Sequence, residues 1–196
     1  MTEKSKTLPA MMAPADTVLM RPTQTLPQQV SVQDPAIDVM TDLSRVAAIS
    51  VDPNLPIDKA EERMKNGGVR LLFVLNEPGD LLGLITLNDI KGTRPMRFQR
   101  ELGVSRSEVL VCDIMTPRDR IEALAMEEVA TAKVGDIVET LKRTGRRHAI
   151  VIECTLSGPA IRGIFSATRI GRQMGMTLDT GGVASTFAEL ETALSH

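Results

Sequence analysis

The stretch GLITLNDI, Gly83 to Ile90, decides how this chain is read. An apolar run carries one hydroxyl, Thr86, and three residues later one acid, Asp89, where a strand would turn into a helix. GIFSATRI, Gly163 to Ile170, repeats the pattern of glycine, two apolar residues, hydroxyl, two residues and a polar side chain. There the hydroxyl is Ser166 and the acid has become Arg169.

Working outward, each stretch closes a longer plan that the chain runs through twice. DVMTDLSRVAAISV from Asp38 and DIMTPRDRIEALAM from Asp113 open the copies with apolar residues, Met and Thr, and each opening reads as a strand. A helix follows. In the first copy Ile57, Ala60 and Met64 share one face, with Pro56 in the opening turn and Gly67 and Gly68 at the end. In the second, Val134, Ile137, Val138 and Leu141 fall at helical spacing, with Thr131 as the expected cap and Gly145 as the stop. Short apolar runs then predict hairpins: LLFVL and LLGLIT around NEPGD, AIVIE and IRGIFS around CTLSGP. NDIKG and TRIGRQM close the copies as short helices.

The order strand, helix, strand, strand, helix recurs after roughly 75 to 80 residues. It predicts an α+β fold of two similar halves about a pseudo-two-fold axis, because one half alone buries too little apolar surface. The expected organisation is a Pro-rich arm over 1–34, a first repeat with connector over 35–100, a second repeat over 101–178 and a tail over 179–196. The arm is expected to lie partly against the body, and the tail to form a helix after Ser185.

Composition narrows the function. With no Trp, no Tyr and four Phe among 196 residues, a flat ligand must be held by aliphatic side chains, and base stacking on aromatics is not expected. A net charge of -2 argues against a broad nucleic-acid surface. Cys112 and Cys154 stand apart without Cys or His at ligand spacing, so no metal site is expected. The N-terminus lacks a signal-peptide core and no run is long enough for a membrane span, which makes a cytoplasmic location the expectation. Neither GxxxxGK nor GxGxxG follows a strand, and His148 and His196 have no evident nucleophile to serve, so no catalysis is expected.

Taken together, the VMT and IMT openings, the glycine-ended helix, the hairpin and the closing GLITLND resemble a tandem pair of cystathionine beta-synthase (CBS) domains, a Bateman module, over about residues 36 to 175. The resemblance implies two β-α-β-β-α repeats forming a regulatory module rather than a catalyst. It further implies a cleft between the halves for AMP, ADP, ATP or another adenosyl compound, and a homodimer that controls a partner protein whose identity the sequence does not give. The rival reading is a dimerisation or docking module that has no ligand.

A carboxylate can accept both protons of a ribose diol, which suits Asp89, although an Asp after a strand is also a common helix cap. The doubled plan favours the ligand role, with Thr86 supplying a hydroxyl one turn away. The resemblance points to these two positions as ribose and phosphate contacts. Arg169 has donors only and cannot replace the acid, so the second ribose site beside Ser166 is expected to be missing or altered. Arg169 would face either the phosphates of a ligand in a shared cleft or solvent. In RTGRRHAIV, Arg147 aligns with Arg70. The resemblance implies that residues before this strand line the cleft, so Arg70, Arg147 and His148 are candidate phosphate contacts, whereas Arg143 and Arg146 read equally well as a solvated face. Ala48, Ile49 and Leu72 are candidate walls of an apolar slot for adenine, a role compatible with core packing.

Overall fold

The structure is a computed structural model and describes residues 9–17, 23–77, 79–178 and 180. The helix expected after Ser185 lies outside the described residues. A 3-10 turn, Ala36–Val39, opens the body, followed by β1 (Thr41–Asp42), β2 (Ser50–Val51), α1 (Ile57–Gly67), β3 (Leu71–Leu75), β4 (Leu81–Thr86) and α2 (Leu87–Lys91). A connecting helix α3 (Arg94–Leu102) leads to α4 (Val111–Ile114), β5 (Thr116–Pro117), β6 (Ala123–Ala125) and α5 (Met126–Thr131). The second copy continues with α6 (Val134–Thr144), β7 (His148–Thr155), β8 (Gly158–Ser166) and α7 (Ala167–Gln173).

The two long repeat helices form for the same local reasons. α1 buries Ile57, Ala60 and Met64, and α6 buries Val134, Ile137, Val138 and Leu141, one apolar stripe each. Both stop at a glycine in the left-handed region, Gly68 at φ 63° and Gly145 at φ 63°. The next amides, Val69 and Arg146, reach back to the Met64 and Leu141 carbonyls at 3.0 and 3.1 Å. The start of α6 differs from expectation. Thr131 ends the separate helix α5, and the free amide at the start of α6 is that of Lys133, which donates to the Asp136 carboxylate at 2.8 Å. The second hairpin is also longer than its sequence suggests, because its strands pair out to Thr155 and Gly158 and leave only Leu156 and Ser157 to turn.

The opening segments depart most from a simple repeat. Each was expected to supply one strand; each supplies two, and they enter different sheets. One sheet runs β2-β3-β4-β5 and the other β1-β8-β7-β6. β5, from the second opening, therefore closes the first sheet, and β1, from the first opening, closes the second. The registers match: Gly83 faces Pro117 and Leu84 faces Thr116, while Gly163 faces Asp42 and Ile164 faces Thr41. The helical turns before these strands cross as well. Ala36, Val39 and Met40 pack into the core of the second half, and Val111 and Ile114 into the core of the first. A third cluster lies between the sheets around Leu71, Phe73 and Ile150.

Glycine at 83 and 163 permits this exchange. A Cβ on Gly83 would run into the Thr116 carbonyl, and one on Gly163 into the Met40 side chain and the Thr41 carbonyl. The arm docks on the second half. Gln24 accepts the Asp42 amide and donates to the Met40 carbonyl, both at 2.9 Å, so its amide imitates a neighbouring strand. Further along, the Val30 amide bonds the Gln173 carbonyl at 3.0 Å. Beside β1, Asp42 is paired with Arg162, which also reaches Glu153 at 3.0 Å. The Arg162 hydrogen bond is the main reason that Asp42 drops from 3.8 to about 2, helped by the Ser44 hydroxyl and amide.

Two consequences are measurable. Asp42 is depressed in the folded state, so its stabilisation is complete above pH 4 or so and is lost as pH falls towards 2, about 2 kcal/mol in all. Asp42→Asn should lower the thermal midpoint at pH 7 by roughly 4–8 °C, and the gap from the parent should close near pH 2 in melts followed by circular dichroism. Gly83→Ala should cost about 1–3 kcal/mol in denaturant unfolding, since the clash is with backbone that cannot rotate away.

Candidate functional site

A cavity of about 490 Å³ opens where the halves meet. From the first half it takes Arg70 and Leu71 at the head of β3, Leu84 on β4, and Thr86 to Asp89 at the β4–α2 junction. From the second half come Thr116 on β5, Arg120 to Glu122 before β6, and Gly145 to His148, where α6 ends and β7 begins. Strand exchange delivers the Thr116 side of this wall. Leu84, Leu71, Ile121 and Ile150 give the cavity an apolar side, and arginines give it a cationic one.

Asp89 is held from three directions. One carboxylate oxygen accepts the Thr86 amide at 2.8 Å and the Thr86 hydroxyl at 2.6 Å; the other faces Arg94 at 3.0 Å. The Thr86 hydroxyl in turn accepts the Asp89 amide at 3.3 Å, completing a reciprocal cap on α2. Cap and candidate ligand group are thus one carboxylate, with its side chain 14% exposed. The capping bonds fix its direction, and the oxygen that faces Arg94 is the one available for exchange with a ligand.

The field of the cleft is positive. Glu122 is paired with Arg146 at 3.2 Å and Asp89 with Arg94, so the two acids in its wall are matched. Among the described residues, Arg70, Arg120 and Arg147 have no carboxylate within ion-pair distance. His148 registers the result. Burial, then the charges of Arg70 and Arg147, push it down from 6.5 to about 4, so its imidazole is neutral at pH 7.

A second cavity of about 200 Å³ lies at the position related by the pseudo-symmetry. Thr41 stands where Thr116 stands in the first, Ser166 where Thr86 stands, and Arg169 where Asp89 stands. Ser166 makes no side-chain cap to α7, and Arg169 reaches across to the Thr41 hydroxyl at 2.9 Å. Arg70, Leu71, His148 and Thr168 line both cavities.

The structure therefore brings Thr86, Asp89, Arg70, Arg147 and His148 together in the first cavity, and Ser166 and Arg169 with Arg70 and His148 in the second. It leaves three expected slot residues outside both. Leu72 is 0% exposed in the first core; β3 is covered on both faces, and the alternation of side chains turns Leu71, not Leu72, to the cleft. Ile49 packs against the same core and Ala48 is exposed. Neither borders either of these two cavities, because β2 sits at the far edge of its sheet from β5. Sequence reasoning missed Thr41, Thr116 and Ile121. The repeated Met-Thr openings held the signal, but only the exchange shows which cleft each Thr serves. It also missed Arg94, just beyond the repeated plan on α3.

Comparison with known proteins supports the architecture. A family model described as CBS domain matches residues 36–93. No curated protein sequence matches the chain significantly. Among solved structures, an uncharacterized conserved protein from Pyrococcus horikoshii is 20% identical, with a TM-score of 0.51, over 72% of this chain and 92% of that one. A CBS-domain containing protein from Agrobacterium tumefaciens is 18% identical, with a TM-score of 0.51, over 74% and 96%. The likeness in both cases is one of fold. Residues 36–93 thus match the CBS-domain family, and the second half repeats the same strand and helix plan, so the fold is that of a pair of CBS-type domains.

Proposed function

We propose that this protein is a regulatory module that binds an adenine nucleotide, AMP, ADP or ATP, in the first cleft and signals through the packing of its two halves or of two subunits. The observation that carries the proposal is a carboxylate aimed by a cap at the edge of a cationic, partly apolar cleft built from both halves. In this reading Asp89 takes the ribose diol and Arg70 and Arg147 take phosphate. The base lies on the Leu84, Ile121 and Ile150 wall. Binding requires Asp89 to exchange its bond to Arg94 for one to the sugar, an ion pair traded for charge-assisted hydrogen bonds. Because the ligand contacts both halves, it favours whichever arrangement presents both sets of groups, which is the condition for control of a partner. The ion pair at Asp89 also favours a second reading, a docking module whose acid is purely structural.

Calorimetric titration separates the two. AMP should bind the parent, and Asp89→Asn, which keeps a cap oxygen but removes the charge, should weaken it roughly 10- to 100-fold. Ser166→Ala should bind as the parent does. Equal AMP binding by Asp89→Asn and parent would leave the acid its cap role alone. A second expectation concerns His148. Its ring signals should titrate near pH 4 in the free protein, and bound phosphate should favour the imidazolium and move the midpoint upwards in proton NMR. Through this group, nucleotide affinity should rise as pH falls from the bound midpoint towards 4. A midpoint indifferent to AMP would place the phosphate elsewhere.

A further inference from the structure

The second cleft has lost what a nucleoside needs and gained what an anion needs. Its acid position is Arg169, and with Arg70 and Arg172 it holds three guanidinium groups and, among the described residues, no carboxylate in its wall. Among the described residues, none of the three has an acid within ion-pair distance. Such a cluster in one concave wall repels itself in the free protein. The two cavities also adjoin. Four residues border both, and across that border Arg70 of the first half donates to the Thr168 hydroxyl of the second at 3.4 Å. Arg70 thus stands on the border of the two cavities and can serve an anion in either.

We propose that the second cleft is the seat of the outer phosphates of a single nucleoside polyphosphate whose ribose is held at Asp89, with Arg169 and Arg172 as the residues that select for phosphate number. The proposal rests on the ribose reading of the first cleft. The ligand class it names is a nucleoside 5′-triphosphate or longer, bound one per chain, because three phosphates bring about twice the charge of one and suit the additional unpaired arginines. Arg169 is available for this task, since its hydrogen bond in the free protein is to a neutral hydroxyl, Thr41, and not to an acid.

The test is titration of the full chain and of the Arg169→Ala Arg172→Ala variant with AMP, ATP and inorganic tripolyphosphate at one fixed salt concentration. The expected result is one ATP per chain, bound at least tenfold tighter than AMP. The variant should lose that advantage and keep parental AMP affinity, which also shows that it is folded. Equal affinity of the parent for AMP and ATP, two ATP per chain, or a variant weakened alike for both nucleotides would each overturn the proposal. If neither nucleotide binds but tripolyphosphate does, and the variant loses it, the ribose reading at Asp89 falls and the phosphate cleft stands. Binding of none of the three sinks both.

Discussion

The exchange of opening segments is the constraint on which the rest of this molecule depends. Each sheet is completed by a strand from the other half, β5 beside β4 and β1 beside β8. The helical turn that precedes each strand fills the other half's core. Neither half thus has a complete sheet or a complete core by itself, and the interface cannot slide, because Gly83 and Gly163 fix where the crossing backbone can approach. The same crossing determines what lines each cleft. Thr116 and Thr41 reach the clefts only because they are carried there by strands that belong, in sequence, to the opposite repeat.

Asp89 shows how a helix cap and the proposed ligand contact can share one side chain. A cap needs a carboxylate that accepts two donors from Thr86, and a diol needs a carboxylate with an open edge. The geometry satisfies both, with one oxygen given to the cap and the other to the cleft, where Arg94 holds it in the free protein. At the equivalent place in the second half Arg169 cannot cap, and the start of α7 is left without a side-chain bond. The loss is small for a helix of one or two turns that is buried through Ala167, Ile170 and Gly171, so packing, not capping, holds α7.

Much of the fold was legible because the periodicities are strong and doubled. The stripe of Ile57, Ala60 and Met64, its counterpart at Val134 to Leu141, and the glycines after them mark the helices without ambiguity, and the apolar runs mark the hairpins. The exchange was not legible. A strand of two residues such as Thr41–Asp42 leaves no pattern, and nothing local tells a chain segment which of two similar sheets it will join. The same gap explains the outcome at the site. Asp89, expected from residue type and the repeat, and Arg70, Arg147 and His148, expected from the family resemblance, line the first cavity, whereas the apolar wall was sought at Leu72 and is supplied at Leu71. In a strand buried on both sides, hydrophobicity is uniform and the face cannot be read from it. Arg94 was missed because α3 has no counterpart in the repeat.

A two-fold scaffold offers two equivalent clefts, and this chain has made them unequal by charge. The first keeps an acid among its arginines; among the described residues the wall of the second has arginines and no acid, and His148, which borders both, is held neutral by burial and then by the charges of Arg70 and Arg147. An uncompensated positive cluster stores repulsion that only an anion relieves, so the free energy available from filling the second cleft is electrostatic and grows with ligand charge. The cluster draws on both halves, Arg70 from one and Arg169 and Arg172 from the other, which makes the relief depend on how the halves are placed. Anions that differ only in charge would then differ in how firmly they fix that placement, which is the physical basis on which the proposed nucleotide site would report more than occupancy.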